Sequence, residues 1–398
     1  MSTVISLTKT EHTTARMTLL REPHWRHHDG EFDFHLRSGE QFSDPAQKTV
    51  YSVIRKLGSG SAGTTYSAVV GSFTKQQIRD GKMRATHVLK VHDVSRGETP
   101  AQLEQRARHE FEISRFIETA GKASDGKFCG VDAVCALAFF VDADTQSVVT
   151  VFPYENAIDL QSFMQKELYG SFGESAVEYK RQVLEISRLL FKAVRNLNAV
   201  GLYHRDIKPD NVIVSFFYSN EDGPLVPRIR SLKLIDFELS CALVEPAFQR
   251  ALELIAAKKK TPLLLESLTC ALPTNKDRYV YFCNPTFRDP LSGSGDRTNS
   301  QPAQFQFTRD EAREKWRFFE MFSCAIVAQL LCDPDQNEDA LVSPELQANM
   351  GVPKIRQTKR MPDGLFDILQ EMTGPLSKRR GLADYAIQIN YLLTSLED

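Results

Sequence analysis

The residues with the most chemistry per position form one run, His204-Arg205-Asp206-Ile207-Lys208-Pro209-Asp210-Asn211. An aspartate, a lysine two residues on and an asparagine five residues on stand together between an apolar-periodic segment and a β-favouring one. Phosphoryl transfer calls for these types. A carboxylate meets the attacking hydroxyl, a cation meets the transferred phosphate, and an amide oxygen meets a metal. A polar loop reaching all eight letters by chance is improbable.

Other residues fit the same chemistry. Ile235-Asp236-Phe237-Glu238 follows 25 residues after Asn211 and ends an apolar strand with a carboxylate, the place for a metal ligand held by packing. Taken alone, a strand-end aspartate is more often a turn former. Upstream, Gly58-Ser59-Gly60-Ser61-Ala62-Gly63 lies between two strand-like runs. Glycines there let a turn approach phosphates and offer backbone N–H groups to them. The pattern is weak by itself, and without a following helix it does not read as a dinucleotide fold. Lys90 sits inside the run His87-Val88-Leu89-Lys90-Val91. A lysine on a buried strand face needs an anionic partner, although an edge lysine facing solvent is the plain alternative. Glu110, twenty residues on, is a candidate partner, with Glu112 as its competitor. Glu110 agrees better with the apolar register of Ile113, Phe116 and Ile117.

These positions need elements to hold them. Strands are expected around the glycine-rich turn, at 87–91 and at 147–154, and a helix over 101–120. Val183, Ile186, Leu190, Val194 and Leu197 recur at spacings of three and four, which predicts an amphipathic helix over 176–200. A strand follows at 212–217, then an extra hairpin at 219–230 and a strand into Asp236. Helices are expected within 240–280, at 320–331, 363–373 and 382–393. Strands early and helices late imply an α+β fold. Residues 1–48 read as a polar extension, and the histidines within 24–28 beside Trp25 as a solvated segment.

The run of motifs resembles the eukaryotic-type protein kinase family, of serine/threonine type, over residues of about 50 to 395. GSGSAGTTYSA is similar to its glycine-rich loop, HVLK to its phosphate-binding strand, HRDIKPDN to its catalytic loop and IDFE to its metal-binding motif. Residues 283–290 resemble the end of its activation segment, residues 320–325 its DxWSxG helix start, and residues 365–380 its closing stretch. The resemblance implies a two-lobed fold: an N-terminal β-sheet lobe with one main helix over 49–153, and a larger helical lobe over 154–398 with a long activation segment at 236–291. It implies that Asp206 and Lys208 act catalytically, and that Asn211 and Asp236 bind metal. Gly58, Ser59, Gly60, Gly63, Lys90, Glu110, Phe152, Tyr154 and Asp159 would bind nucleotide, with Phe152 and Tyr154 at the adenine hinge and Asp159 at the ribose. ATP and Mg²⁺, with Mn²⁺ as the alternative metal, are the implied cofactors.

The chain also departs from the family. Glu238 replaces a glycine and would place a second carboxylate beside the metal, Asn284 replaces a threonine, and Leu291 replaces a glutamate that would pair near Arg379. The expected function is therefore an ATP-dependent protein serine/threonine kinase. The alternatives are a nucleotide-binding pseudokinase scaffold and, behind it, a small-molecule kinase of choline or aminoglycoside type, which shares the IDFE string. The protein substrate is open. A regulator is expected to act on the activation segment, where Thr261, Ser267, Thr269 and Thr274 are acceptor hydroxyls beside the solvated run 258–260.

Bulk properties agree. The 398 residues are 42% apolar and 25% charged, with a formal net charge of −2. That mixture excludes a nucleic-acid or acidic-membrane binder on charge grounds. The apolar stretch 324–332 is too short to span a bilayer. Seven scattered cysteines without a CxxC pair lead to the expectation of a reduced chain, in cytosol or nucleus, or in a host cell if it is a viral or bacterial effector.

Overall fold

The computed structural model describes residues 40–60, 63–80, 83–94, 98–123, 132–142, 144–169, 177–219, 226–243, 307–333 and 355–396, with residues 253, 268, 271–272 and 275–279 between them. The 24–28 cluster with Trp25, the run 258–260, the four acceptor hydroxyls, residues 283–290 and Leu291 lie outside the described residues.

The first lobe is a six-stranded antiparallel sheet. Its strands are β1 (Gln41–Asp44), β2 (Thr49–Gly60), β3 (Gly63–Val70), β4 (His87–His92), β5 (Ala138–Val141) and β6 (Val148–Pro153), in the order β1-β2-β3-β4-β6-β5. A short helix α1 (Lys75–Arg79) follows β3, opened by a capping box between Thr74 and Gln77. β1 lies inside the stretch expected to be extension, so the sheet starts earlier than Val50. The polar composition around Phe42 hid it, yet that ring is fully buried with Tyr51, Val53, Tyr66, Leu89 and Val149.

Strand alternation assigns the faces. Leu89 and Val91 point into that core, while Lys90 and His92 turn to the other side. There the helix α2 (Pro100–Ala123) packs, with Leu103 and Ala107 against Val148. Its buried positions include Leu103, Ala107, Glu110, Ile113, Ser114 and Ile117. The spacing of three and four carries Glu110 into the buried stripe.

The second lobe is built on helices. Next come the two-residue strand β7 (Ile158–Asp159) and α3 (Leu160–Phe163), which runs on through a π-helical turn at Met164–Leu168. α4 (Val177–Ala199) matches the sequence expectation. Gly201, at φ +77°, ends it in the left-handed conformation that favours glycine. β8 (Leu202–Tyr203) pairs with β11 (Cys241–Ala242), and between them β9 (Val212–Ser219) and β10 (Val226–Leu234) form an antiparallel ribbon. β12 (Ala271–Leu272) and β13 (Asn275–Tyr279) pair with each other.

α5 (Arg309–Leu331) is capped by a Thr308–Glu311 box. Glu320, expected at a helix start, therefore sits mid-helix, because the polar first turns before it are helical too. α6 (Leu365–Thr373) and α7 (Leu382–Thr394) close the chain. Leu184, Leu190, Phe322, Ile326 and Leu369 belong to one large core. No helix among the described residues is long and apolar enough to cross a membrane. Among the described residues Cys135, Cys324 and Cys332 are free.

Candidate active site

β4 delivers Lys90 to the face covered by α2, and there it finds two anions. Its Nζ lies 2.9 Å from Glu110 Oε2 and 2.8 Å from Asp236 Oδ1. Glu110 is thus the partner, and Glu112 instead pairs with Arg115 at 2.9 Å. Burial would lower the Lys90 pKa, but Glu110, Asp236 and Glu238 outweigh it and hold the ammonium above its ordinary range. Burial pushes Glu110 up to about 7 against the pull of Lys90. Burial would also raise Asp236, yet Lys90 keeps it below the usual carboxylate value.

The loop between β8 and β9 carries the eight-residue motif. Asn211 Nδ2 donates to Asp206 O at 2.9 Å and to Asp206 Oδ2 at 2.7 Å. Lys208 Nζ lies 3.0 Å from the same Oδ2. The Asp206 carboxylate raises the Lys208 pKa against its burial. Asp206 Oδ1 is buried and has no hydrogen-bond partner.

The loop is held from beneath and beside. Glu320 is fully buried; Arg205 N–H donates to its Oε1 at 2.7 Å and Asn198 Nδ2 to its Oε2 at 2.6 Å. Burial raises the Glu320 pKa to about 7. The His204 ring stacks at a tilt on Phe237, 4.8 Å between centroids, with Nε2 2.9 Å from Ile235 O. Arg205 and Asp236 both adopt positive φ, +65° and +62°. Each such residue costs on the order of 1–3 kcal/mol and persists because its surroundings fix it. Arg205 is fixed by Glu320 at its backbone and by Leu239 O at its Nε, 2.5 Å away; Asp236 is fixed by Lys90.

Lys90, Glu110 and Asp236 thus form one group and Asp206, Lys208 and Asn211 another, tied at the backbone by Ile235 N–H donating to Asn211 O at 3.0 Å. Gly58, Ser59, Gly60 and Gly63 lie on the β2–β3 hairpin, where Gly60 pairs with Gly63. Gly63 has φ +151°, and a Cβ there would stand 2.3 Å from Val91 O, so close strand approach itself demands the glycine. Phe152 lies one residue before the end of β6, opposite Val88, and Tyr154 N–H donates to Thr86 O at 3.1 Å. Asp159 is the N-cap of α3, accepting from Ser162 N–H at 2.6 Å.

Glu238 is not open toward a metal. Its Oε1 accepts from Arg106 Nη1 at 2.6 Å, and its Oε2 lies 3.6 Å from Lys90 Nζ. Arg106 and the depth of Glu320 were missed from sequence. The first had a signal, since Arg106 precedes Glu110 by one turn on one helix face. Arg379 is buried and donates to Phe318 O and Gly374 O at 3.0 and 2.8 Å.

No family model matches the chain. Calcium-dependent protein kinase 6 of Oryza sativa is 27% identical over 201 residues, which are 49% of this chain and 29% of that protein. Serine/threonine-protein kinase UCN of Arabidopsis thaliana is 26% identical over 194 residues, 49% of this chain and 39% of its own length. Serine/threonine-protein kinase RAD53 of Saccharomyces cerevisiae reaches 31% over 97 residues, 24% of this chain and 10% of its own. The matches thus span well under half of each relative. The solved kinase domain of Mycobacterium tuberculosis PknI superposes with a TM-score of 0.44 at 17% identity, over 90% of this chain and 100% of that one. Over at most about half its length, the chain is thus similar in sequence to serine/threonine protein kinases.

Proposed function

We propose that the chain is an active protein serine/threonine kinase, transferring the ATP γ-phosphate to a protein hydroxyl. The observation that carries this reading is the pairing of Lys90 with both Glu110 and Asp236, beside an Asp206 carboxylate with one oxygen unengaged. Burying a lysine with two carboxylates carries a desolvation cost that apolar residues of the same volume would avoid, which favours a role for the ammonium.

In this reading Lys90 takes the α/β-phosphates, held in place by Glu110. Asp206 orients the incoming hydroxyl through Oδ1 and takes its proton as the new oxygen–phosphorus bond forms and the γ-phosphorus parts from the β–γ bridging oxygen, releasing ADP. Lys208, already beside Oδ2, meets the negative charge on the transferred group. Asn211 uses its amide N–H groups to fix Asp206 and has its oxygen left for a metal. Asp236 offers a second hard oxygen, and the pair fits Mg²⁺, which takes one or two protein oxygens plus phosphate. The bound ion would neutralise charge on the phosphate oxygens. The hairpin glycines would cover the phosphates, and the 152–154 segment would face the adenine.

The test is incubation of the purified full chain with radiolabelled ATP, Mg²⁺ and generic protein substrates, followed by site mapping. Wild type is expected to label serine or threonine, and Asp206→Asn and Lys90→Met to fall to background. Equal turnover by Asp206→Asn and wild type would remove the enzyme reading. Nucleotide binding without any transfer would replace it with the scaffold reading.

A further inference from the structure

Arg106 and Glu238 form a pair that none of the roles above uses. Four of the five Arg106 guanidinium donors are engaged. Nε lies 3.0 Å from Glu98 Oε1, Nη2 donates to Glu98 Oε2 at 3.1 Å and to Asp93 O at 2.9 Å, and Nη1 donates to Glu238 Oε1 at 2.6 Å. Glu238 is largely enclosed, its side chain only 14% exposed, and its Oε2 is buried without a hydrogen-bond partner.

Lys90 consequently faces three carboxylates, Glu110 at 2.9 Å, Asp236 at 2.8 Å and Glu238 at 3.6 Å. The third stands just outside hydrogen-bond range. A buried carboxylate seeks the nearest cation, and with Arg106 removed that cation is Lys90. Its ammonium carries three donors, so a third short anionic contact would use up the group that nucleotide phosphate needs.

We propose that Arg106 is a positioning residue: it binds the Glu238 carboxylate and holds it off Lys90, which stays on Glu110 and available to phosphate. The inference rests on the reading of Lys90 as a nucleotide ligand. It makes the two side chains interdependent, so that a chain lacking the carboxylate at 238 has no need of the guanidinium at 106. A simple packing role for Arg106, through Glu98 and Asp93, would show no such dependence.

The experiment is calorimetric titration of the full chain with Mg²⁺ and a non-hydrolysable ATP analogue, for wild type, R106Q, E238Q and R106Q/E238Q. R106Q is expected to weaken binding about tenfold and E238Q about twofold, a coupling within the range for residues in contact. The double variant is expected to bind like E238Q, the second substitution rescuing the first. A double variant as weak as R106Q, or weaker, overturns the proposal. Should R106Q fail to fold, R106K serves the same cycle, and R106K/E238Q must then bind more tightly than R106K. If wild type does not bind the analogue, the proposed function falls and this inference with it; wild-type binding without rescue sinks this inference alone.

Discussion

Gly58 and Gly63 belong to one motif but answer to different constraints. At Gly63 a side chain would press on the backbone of β4, with Val91 O 2.3 Å and His92 Cα 2.9 Å from the added carbon. At Gly58 the nearest atom is Thr65 Oγ1 at 3.6 Å, an ordinary contact. Gly63→Ala is therefore expected to cost at least about 2 kcal/mol of stability, from strain and clash together. Gly58→Ala should stay within about 0.5 kcal/mol of wild type and act on nucleotide affinity instead. Denaturant melts of both variants check this, and equal losses would contradict it. At this scale the sequence spoke clearly where chemistry demands a fixed local string, as in residues 204–211. Lys90–Glu110 was readable from strand burial and helix register. The Arg106–Glu238 contact joins residues 132 positions apart, and no local pattern announces it. Glu238 read as a neighbour of the metal because its sequence neighbour Asp236 was one, whereas the turn at Glu238–Leu239 aims it at α2.

The helices and strands were legible in proportion to their periodicity. α4 alternates apolar and polar turns and appeared almost residue for residue, while α5 is buried nearly all round its second half and its amphipathic start was passed over. β1 is four residues with one buried ring, too short to register. The burial of α5 has a measurable consequence through Glu320. An acid whose folded pKa of about 7 exceeds its unfolded value near 4.5 makes the folded state bind more protons between those limits. Stability then falls as pH rises from about 4.5 to 7, and the loss is complete above 7. Glu320→Gln removes the titration. The stability difference between wild type and variant is expected to shift by on the order of 2 kcal/mol, against wild type, between pH 5 and pH 8. Thermal melts at unit pH intervals read it. A constant difference across that range would show that Glu320 titrates near its ordinary value.

The whole molecule has two main cores, and helix α2 contributes Ile113, Phe116 and Ile117 to the larger one. The sheet core of Phe42, Leu89 and Val149 and the large helical core are distinct. Residues 233–240 cross between them. Lys233 pairs with Glu155 at 2.7 Å, Leu234 exchanges backbone hydrogen bonds with Asp132 and Val134, Asp236 meets Lys90, Glu238 meets Arg106, and Ser240 O meets His109 at 2.7 Å. Leu234, Asp236, Glu238 and Ser240 are thus each tied to residues of the 49–153 segment. None of these ties was visible beforehand, since each depends on how the lobes meet. A ligand that binds between Lys90 and Asp236 should therefore stabilise both lobes as one unit. At a hundred times its dissociation constant, a ligand specific to the folded state adds about 2.7 kcal/mol. For a chain of this size that corresponds to a rise in Tm of roughly 3 °C. Asp206→Asn is expected to keep that rise with Mg²⁺ and ATP, because Asp206 faces the hydroxyl acceptor. Lys90→Met should lose it, because the ammonium joining the lobes also holds the phosphates. Differential scanning fluorimetry with and without nucleotide makes the comparison. A full shift in Lys90→Met would mean that nucleotide binds away from the Lys90–Asp236 pair.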